Sequence, residues 1–333
     1  MNNINIGIIG ASAIAPLAVS EPAALLPEVT VAAVAARGQH RANDFAVAHD
    51  IETAYGTYEE LIADPGIDAV YVATPNAAHF KWVMEAVSAG KNVLCEKPLA
   101  MNVEQAEQVR QAAEAAGLIV SEAFHYYYHP AFRRVLEIIR SGELGALQTA
   151  HIDFHFDARQ RPEDIRWSAP LGGGALLDLG CYAVHAARSI FGSEPLSVDA
   201  ALTLVESGVD GAVAAEMIFG PGQSCSFSCS LTSDEQYSEL VIAGSEGSLT
   251  LNHPFTPHWG HELRMTTAHD IRTETTSLET TYLFQLREFA AAILGKSPLL
   301  LPLSDAVANA RVLDSLFMAA SRTTRATNSD IPR

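Results

Sequence analysis

The chain's 333 residues, 48% hydrophobic and 18% charged, suffice for two domains of ordinary size with a buried core. A formal net charge of −18 repels nucleic acid and anionic lipid alike, so neither is expected as a partner. No apolar run approaches the ~18 residues of a membrane span, no basic segment precedes the first apolar stretch, and the four cysteines (Cys95, Cys181, Cys225, Cys229) form no CxxC pair. A soluble, reduced, cytoplasmic protein is expected.

The first 120 or so residues alternate strand-like and helix-like segments. Ile4–Ile9 reads as a strand, followed by a small-residue helix over about Ala13–Leu25. Val29–Ala36, Ala69–Ala73, Asn92–Cys95 and Leu118–Ser121 read as further strands, and Gln39–Ala48, Tyr58–Ala63, Ala77–Ala89 and Val103–Ala116 as helices. Strands separated by helices pair in parallel through right-handed crossovers. From about Glu122 the pattern changes. A helix over Ala131–Ser141 and a long strand over Ala146–Phe156 lead to the glycine-rich stretch "LGGGALLDLGCYAVHAARSIFG" and another helix. Strand-like runs follow at Ser197–Val205, Ala212–Phe219, Ser224–Leu231, Glu239–Ala243 and Ser248–Leu251, joined by turns such as "GPGQ" and "GSEG". Such a succession makes an antiparallel sheet. Helices over Tyr282–Leu294 and Ser304–Ser321 close the chain. The expected architecture is a doubly wound α/β domain over residues 1–121 and an α+β domain with an open, mainly antiparallel sheet over 122–333, its last helix free to pack back on the first domain.

Where the first strand meets its helix, "IGIIGASAIA" puts Gly10, Ser12 and Ala15 at the G-x-G-x-x-[GA] positions of a dinucleotide-binding turn, with serine for the second glycine. Serine is small and its hydroxyl can donate to a phosphate. Ser12, Ala13 and Ile14, opening the helix, would offer N–H donors to an anion. The second strand ends "VAAVAARGQHR", with no acidic residue from Val29 through Asn43. An NAD site usually has a carboxylate there for the ribose hydroxyl. Arg37, with Arg41 behind it, favours a 2′-phosphate instead, so NADP is expected, with NAD still possible. Thr74, Pro75 and Asn76 end the next strand at the sheet's carboxyl edge, where such sheets bind ligands. Asn76 could also cap the next helix, and His79 lies one turn inside it.

"NVLCEKPLAMN" places Glu96, Lys97 and Pro98 at the carboxyl end of a core strand on that same edge. A lysine there, partly desolvated and beside a cofactor that is cationic when oxidised, becomes a usable proton-transfer or hydrogen-bonding group. Glu96 reads as a structural or ribose-contacting partner. In the glycine-rich stretch, Asp178 and Tyr182 are spaced i, i+4 and so share a helical face.

The segments "GIIGASAIA", "YEELIADPGIDAVYVATPNAAH", "AGKNVLCEKPLA", "EAFHYYYHP", "SGELGAL" and "GGGALLDLGCYAVH" occur in this order along nearly the whole chain. In them the protein resembles the Gfo/Idh/MocA oxidoreductases, the family of glucose–fructose oxidoreductase and inositol dehydrogenase. The resemblance implies an N-terminal Rossmann dinucleotide-binding domain, with Lys97 at the catalytic lysine position and Asp178 and Tyr182 at the acidic and proton-transfer positions. Many members have histidine where this chain has Tyr182. Tyrosine is similar to the branch containing dimeric dihydrodiol dehydrogenase, NADP-dependent xylose dehydrogenase and glucose–fructose oxidoreductase. The implied enzyme is an NAD(P)-dependent dehydrogenase or reductase acting on CH–OH groups. Its substrate is a carbohydrate-like small molecule: a sugar, sugar derivative or cyclic diol. Lys97 and Tyr182 would form the proton-transfer unit, and Asp178 would orient the lysine or a substrate hydroxyl. Two other readings stay open: a member that recycles a bound cofactor for glycoside cleavage or sugar transhydrogenation, and a non-enzymatic NADP-binding regulator.

Twelve histidines invite a metal reading, which their spacing does not support, and none is expected. His125 and Tyr127 in "HYYYH" are read as the wall of a polar aromatic pocket or as core. Arg166, Trp167 and His185 are further candidates for substrate contact. The long sheet of the second domain suggests a homodimer or homotetramer formed through its outer face.

Overall fold

The computed structural model describes residues 3–329, with side chains described through residue 321. Six short strands, β1 (Ile4–Ile9), β2 (Val29–Ala35), β3 (Thr53–Tyr55), β4 (Ala69–Val72), β5 (Asn92–Cys95) and β6 (Val120–Glu122), form a sheet in the order β3-β2-β1-β4-β5-β6. Every pairing in it is parallel. The strand order reverses between β1 and β4, the switch point at which an open α/β sheet offers a ligand crevice at its carboxyl edge.

Both faces of this sheet are covered, which is why its central strands read as unbroken apolar runs. All four residues of β4 are buried. One face packs Ile6, Ile8, Tyr71 and Leu94 against Leu286 and Phe289, and the other packs Val70, Val72 and Val93 against Val83 and Val109. Each fully buried aliphatic side chain contributes ~1.5–3 kcal/mol over leaving it exposed. The helix Val103–Ala116 starts at Asn102, whose side chain accepts the Gln105 N–H, and stops at Gly117 in the left-handed region. The expected helix over 13–25 forms as a wider turn, Pro16–Ser20, running into Glu21–Ala23. The three-residue β3 is too short to leave a period in the sequence.

Backbone contacts divide the chain into two compact units, one running to Tyr128 and taking in Glu279–Val307, the other comprising His129–Leu278 and the chain from Ala308 on. This differs from a division at 121. The helix Thr281–Ile293, placed by the sequence with the second domain, belongs to the first, because Leu283, Leu286, Phe289 and Ala290 complete one of its apolar layers. The last helix, Leu303–Ser329, begins in the first unit and continues in the second.

The second unit is built on an eight-stranded sheet. Its strands are β7 (Leu147–Asp157), β8 (Ser197–Leu204), β9 (Asp210–Gly220), β10 (Gln223–Ser230), β11 (Thr232–Gly244), β12 (Gly247–Asn252), β13 (Leu263–Thr267) and β14 (Ile271–Glu274). They lie in the order β14-β13-β12-β11-β7-β10-β9-β8. All neighbours are antiparallel except β7 and β10, which run parallel. Alternation is clean on the inner strands. Ile152, Val213, Met217, Phe227, Leu240 and Ile242 are buried, while His151, Glu216 and Ser226 face out.

Candidate functional site

The dinucleotide turn follows β1 directly. Gly10 has φ +106°, and a Cβ there would lie 2.8 Å from the Ala73 carbonyl oxygen, so glycine is required on two counts. The Ser12 N–H donates to the Gly10 carbonyl at 2.8 Å and closes the turn. Arg41 donates to the Ala11 carbonyl at 3.0 Å and fastens it from the next helix. Ala13 is exposed and Ile14 half-buried as the chain enters the helical segment. Two hydroxyl oxygens at this edge, Ser12 Oγ and Thr74 Oγ1, are buried with no hydrogen-bond partner among the described residues. Buried polar groups are nearly always satisfied, so two waiting hydroxyls beside a glycine turn fit a phosphate-bearing ligand.

Arg37 is exposed just beyond β2 and has no ion-pair partner among the described residues. Its neighbour His40 is turned to Asp44, 2.8 Å away. Burial pushes the Tyr58 phenol up while the charges of Arg37 and Arg41 pull it down, so both guanidinium groups act on one region.

Lys97 is half-buried at the end of β5, in a loop held from two sides. The Glu122 carboxylate, at the end of β6, accepts the Leu99 N–H at 2.8 Å. His79 is completely buried, with Nδ1 2.7 Å from the Pro98 carbonyl oxygen and Nε2 2.8 Å from that of Thr74. Burial lowers its pKa and the two carbonyls oppose that. His79 was expected to touch the cofactor. Both its ring nitrogens are instead committed to main chain, tying the loop after β4 to the loop after β5. Asn76 is the first residue of its helix rather than its cap, a place taken by Pro75. Of the two roles open to Glu96, the geometry supplies the structural one. Its Oε1 accepts from the Tyr71 hydroxyl at 2.6 Å, and burial, then this carboxylate, drives the Tyr71 phenol well up.

In the second unit the glycine run leads into a helical segment. Gly174 has φ +112°, and a Cβ there would run into the Asp210 carboxylate. Its N–H donates to the Arg166 carbonyl at 3.0 Å, and its own carbonyl accepts the Asp178 N–H at 3.1 Å. Asp178 falls in a π-helical turn, Leu176–Gly180, and Tyr182 in the α-helix Cys181–Phe191 that continues it. The expected single α-helical face is thus interrupted by the kind of wider turn that recurs at functional sites. The Tyr182 ring is 6% exposed, edge-on to Phe154 with centroids 5.8 Å apart and tilted against Phe255 at 5.2 Å. Arg166 Nε donates to Asp178 Oδ2 at 2.6 Å, and its other arm donates to both oxygens of Asp164 at 3.1 Å. Burial works against the Arg166 charge, but Asp178 and Asp164 outweigh it and the net shift is upward.

The candidate substrate residues mostly turn inward. Arg166, expected to touch a ligand, is shared between two carboxylates. Trp167 Nε1 donates to the Arg161 carbonyl of its own loop. His185 is wholly buried. His125 meets Thr281 Oγ1 at 2.8 Å and lies against the Tyr282 ring at 4.2 Å. In "HYYYH" only Tyr127 keeps partial exposure, so the cluster is core more than pocket wall. Tyr71, Tyr282, Asp164 and Asp210 also contribute to this geometry, without a signal in the sequence. An isolated tyrosine or aspartate carries no spacing signal, and these four earn their roles through distant chain segments.

Among the described residues no group of three His, Cys, Asp or Glu could hold a metal ion, and no helix is long and apolar enough to cross a membrane.

This architecture, a dinucleotide turn and lysine-bearing edge on one sheet and a carboxylate–tyrosine helix on the other, defines a two-domain dinucleotide-dependent oxidoreductase. Residues 4–124 match the oxidoreductase family with an NAD-binding Rossmann fold, and residues 132–250 match the Gfo/Idh/MocA C-terminal domain. The chain is 34% identical over 318 residues to D-xylose 1-dehydrogenase (NADP(+)) 2 of Haloferax volcanii, covering 94% of this chain and 96% of that one. It is 35% identical over 231 residues to trans-1,2-dihydrobenzene-1,2-diol dehydrogenase of Mus musculus, covering 69% and 68%. The 3-ketoreductase KijD10 of Actinomadura kijaniata, solved with NADP and TDP-benzene, superposes with a TM-score of 0.89 at 28% identity over 96% of this chain and 98% of that one. The protein belongs to the Gfo/Idh/MocA oxidoreductase family.

Proposed function

We propose that this oxidoreductase uses NADP to interconvert a secondary alcohol and a carbonyl on a sugar, sugar derivative or cyclic diol. The observation that carries the reading is Lys97, half-buried on the sheet edge that bears the dinucleotide turn, in a loop pinned by His79 and Glu122. When bound, the nicotinamide supplies or accepts the hydride. Arg37, exposed and without an ion pair among the described residues, would take the 2′-phosphate, and Ser12 and Thr74 would donate their waiting hydroxyls to the cofactor. Tyr182 delivers the proton to the carbonyl oxygen in reduction and withdraws it in oxidation. The Lys97 charge favours the phenolate and so eases that transfer. Asp178, anchored by Arg166, orients the lysine or a substrate hydroxyl.

The outer face of the second sheet, with His151, Glu216 and Ser226 exposed, is the surface proposed to pair with a second copy in a homodimer or homotetramer. Four buried free thiols suit a reducing compartment, the basis for proposing the cytoplasm. The test is absorbance at 340 nm over a panel of sugars and cyclic diols with NADP and NAD. Turnover with at least one member, faster with NADP, is expected. Tight NADP binding without turnover on any sugar or diol overturns the reading. Light scattering that gives a stable monomer at micromolar concentration removes the oligomer.

A further inference from the structure

Asp210, the first residue of β9, is 5% exposed and makes no ion pair among the described residues. A buried carboxylate without a cation must be held by hydrogen bonds. Its Oδ2 accepts the Leu176 N–H at 2.6 Å, and the N–H groups of Ala175 and of Asp210 itself also donate to it. Ala175 and Leu176 stand at the start of the helical segment, where N–H groups have no acceptor within the helix and the dipole favours an anion. Gly174 lies against the same carboxylate, in a conformation and a space that only glycine fits.

We propose that Asp210 is a positioning residue for the reaction, its carboxylate fixing the glycine run so that Asp178 and Tyr182 leave the turn in their working orientation. This rests on the functional reading above. The connection is short. The Gly174 carbonyl takes the Asp178 N–H, and the Gly174 N–H goes to the Arg166 carbonyl. The Arg166 side chain closes the loop on Asp178 Oδ2. A displacement at Asp210 therefore reaches both partners of the ion pair through one glycine. Asparagine cannot replace the carboxylate, because its NH₂ would face one of the donor N–H groups.

Burial raises the Asp210 carboxyl to about 6, with the three backbone donors opposing. The titratable group facing it is the Cys229 thiol on β10, itself held up by burial. It is not a cation, so the anionic form depends on the backbone donors and is lost as the pH falls through about 6.

The experiment compares the full-length wild type with Asp210→Asn, by amide hydrogen exchange and by steady-state kinetics from pH 5 to 8. In the variant, amides 175–178 should exchange about tenfold faster or more while the rest of the second sheet keeps its protection. Its kcat should fall about 10–100-fold with the KM for NADP nearly unchanged. Wild-type kcat should decline with an apparent midpoint near pH 6, and the variant should lack that limb. Unchanged protection at 175–178 in the variant overturns the proposal, as does an unchanged kcat despite faster exchange. If the wild type turns over no sugar or diol, the functional reading fails, and exchange at 175–178 then decides whether Asp210 holds the segment.

Discussion

The two units hold their functional side chains by different means. In the first, the groups around Lys97 are fixed largely by main chain. His79 bridges two carbonyls, Glu122 takes an amide, and the dinucleotide turn is closed by its own backbone and by Arg41 on a carbonyl. In the second, Asp178 is held by charge, through Arg166 and Asp164, and its helix starts on the buried carboxylate of Asp210. The ties in the first unit end on main chain, although His79 can donate to both carbonyls only when protonated. Buried carboxylates carry a desolvation penalty and respond to pH and to the loss of any partner. The comparison teaches that one half is a rigid cradle and the other a tuned one.

The comparison breaks first at catalysis, where the largest effect is expected. Lys97→Ala and Tyr182→Phe should each cut kcat by ~10²–10⁴, the range of general acid–base contributions. The double variant should be little worse than the worse single one, since either loss disables the unit. NADP affinity should change far less for Tyr182→Phe than turnover does. A Tyr182→Phe enzyme with near-normal turnover would remove the tyrosine from the mechanism.

The next effect is on stability and contrasts two glycines of the second unit. Gly174→Ala sets a Cβ against the Asp210 carboxylate at φ +112° and should cost about 2–5 kcal/mol, strain and overpacking together. Gly142, with φ +79° and open space around it, serves as the control, and its alanine variant should cost about 1 kcal/mol. Urea unfolding of the two variants measures the difference, and equal losses would deny Gly174 its special contact.

Much of the fold was legible in the sequence because its strands are short, apolar and spaced by helices. Motif spacing is what singles out Gly10, Lys97, Asp178 and Tyr182 in the sequence, and the roles given to them are part of the proposal. What escaped was whatever depends on residues far apart in sequence. His79 and Pro98 meet only when two loops close on each other. Asp210 lies 34 positions beyond the amide it accepts from Leu176. Thr281–Ile293 looked like a closing helix of the second domain because nothing in its own period says which apolar layer it completes. "HYYYH" looked like a pocket wall because polar aromatics serve pocket and core equally well by composition.

A smaller effect follows from the Asp210 titration. Its folded pKa, about 6, lies above the ordinary value of 3.8. The native state therefore binds more protons than the unfolded chain between those values, and stability falls as the pH rises through them. The advantage is complete below pH 4 and gone above about pH 6. Between those limits the wild type should lose roughly 2–3 kcal/mol relative to Asp210→Asn, from a shift of about two units at 1.36 kcal/mol each. Chemical denaturation of both proteins at pH 4.0 and pH 7.0 (~three units apart) would show it. Parallel curves would mean that the carboxylate is better solvated than its burial implies.

The smallest expected effect sharpens the picture of the cradle. Arg37 is exposed and has no ion-pair partner among the described residues, so it can form a charge-assisted contact with a 2′-phosphate without first breaking one of theirs. Such contacts contribute about 1.5–3 kcal/mol, so NADP should be preferred over NAD by roughly 10–100-fold in kcat/KM. Arg37→Asp should flatten or reverse that ratio, because the new carboxylate repels the phosphate and can accept from a ribose hydroxyl. Arg41 provides the internal contrast. Its guanidinium holds the Ala11 carbonyl, so Arg41→Ala should weaken both cofactors through the shared turn and leave the ratio closer to wild type. The contact at Arg37 is at the surface and should fade with salt, so the preference should shrink between ~0.05 and ~0.5 M ionic strength. A ratio of kcat/KM values unmoved by Arg37→Asp would take the phosphate away from Arg37 and leave the turn itself as the seat of cofactor choice.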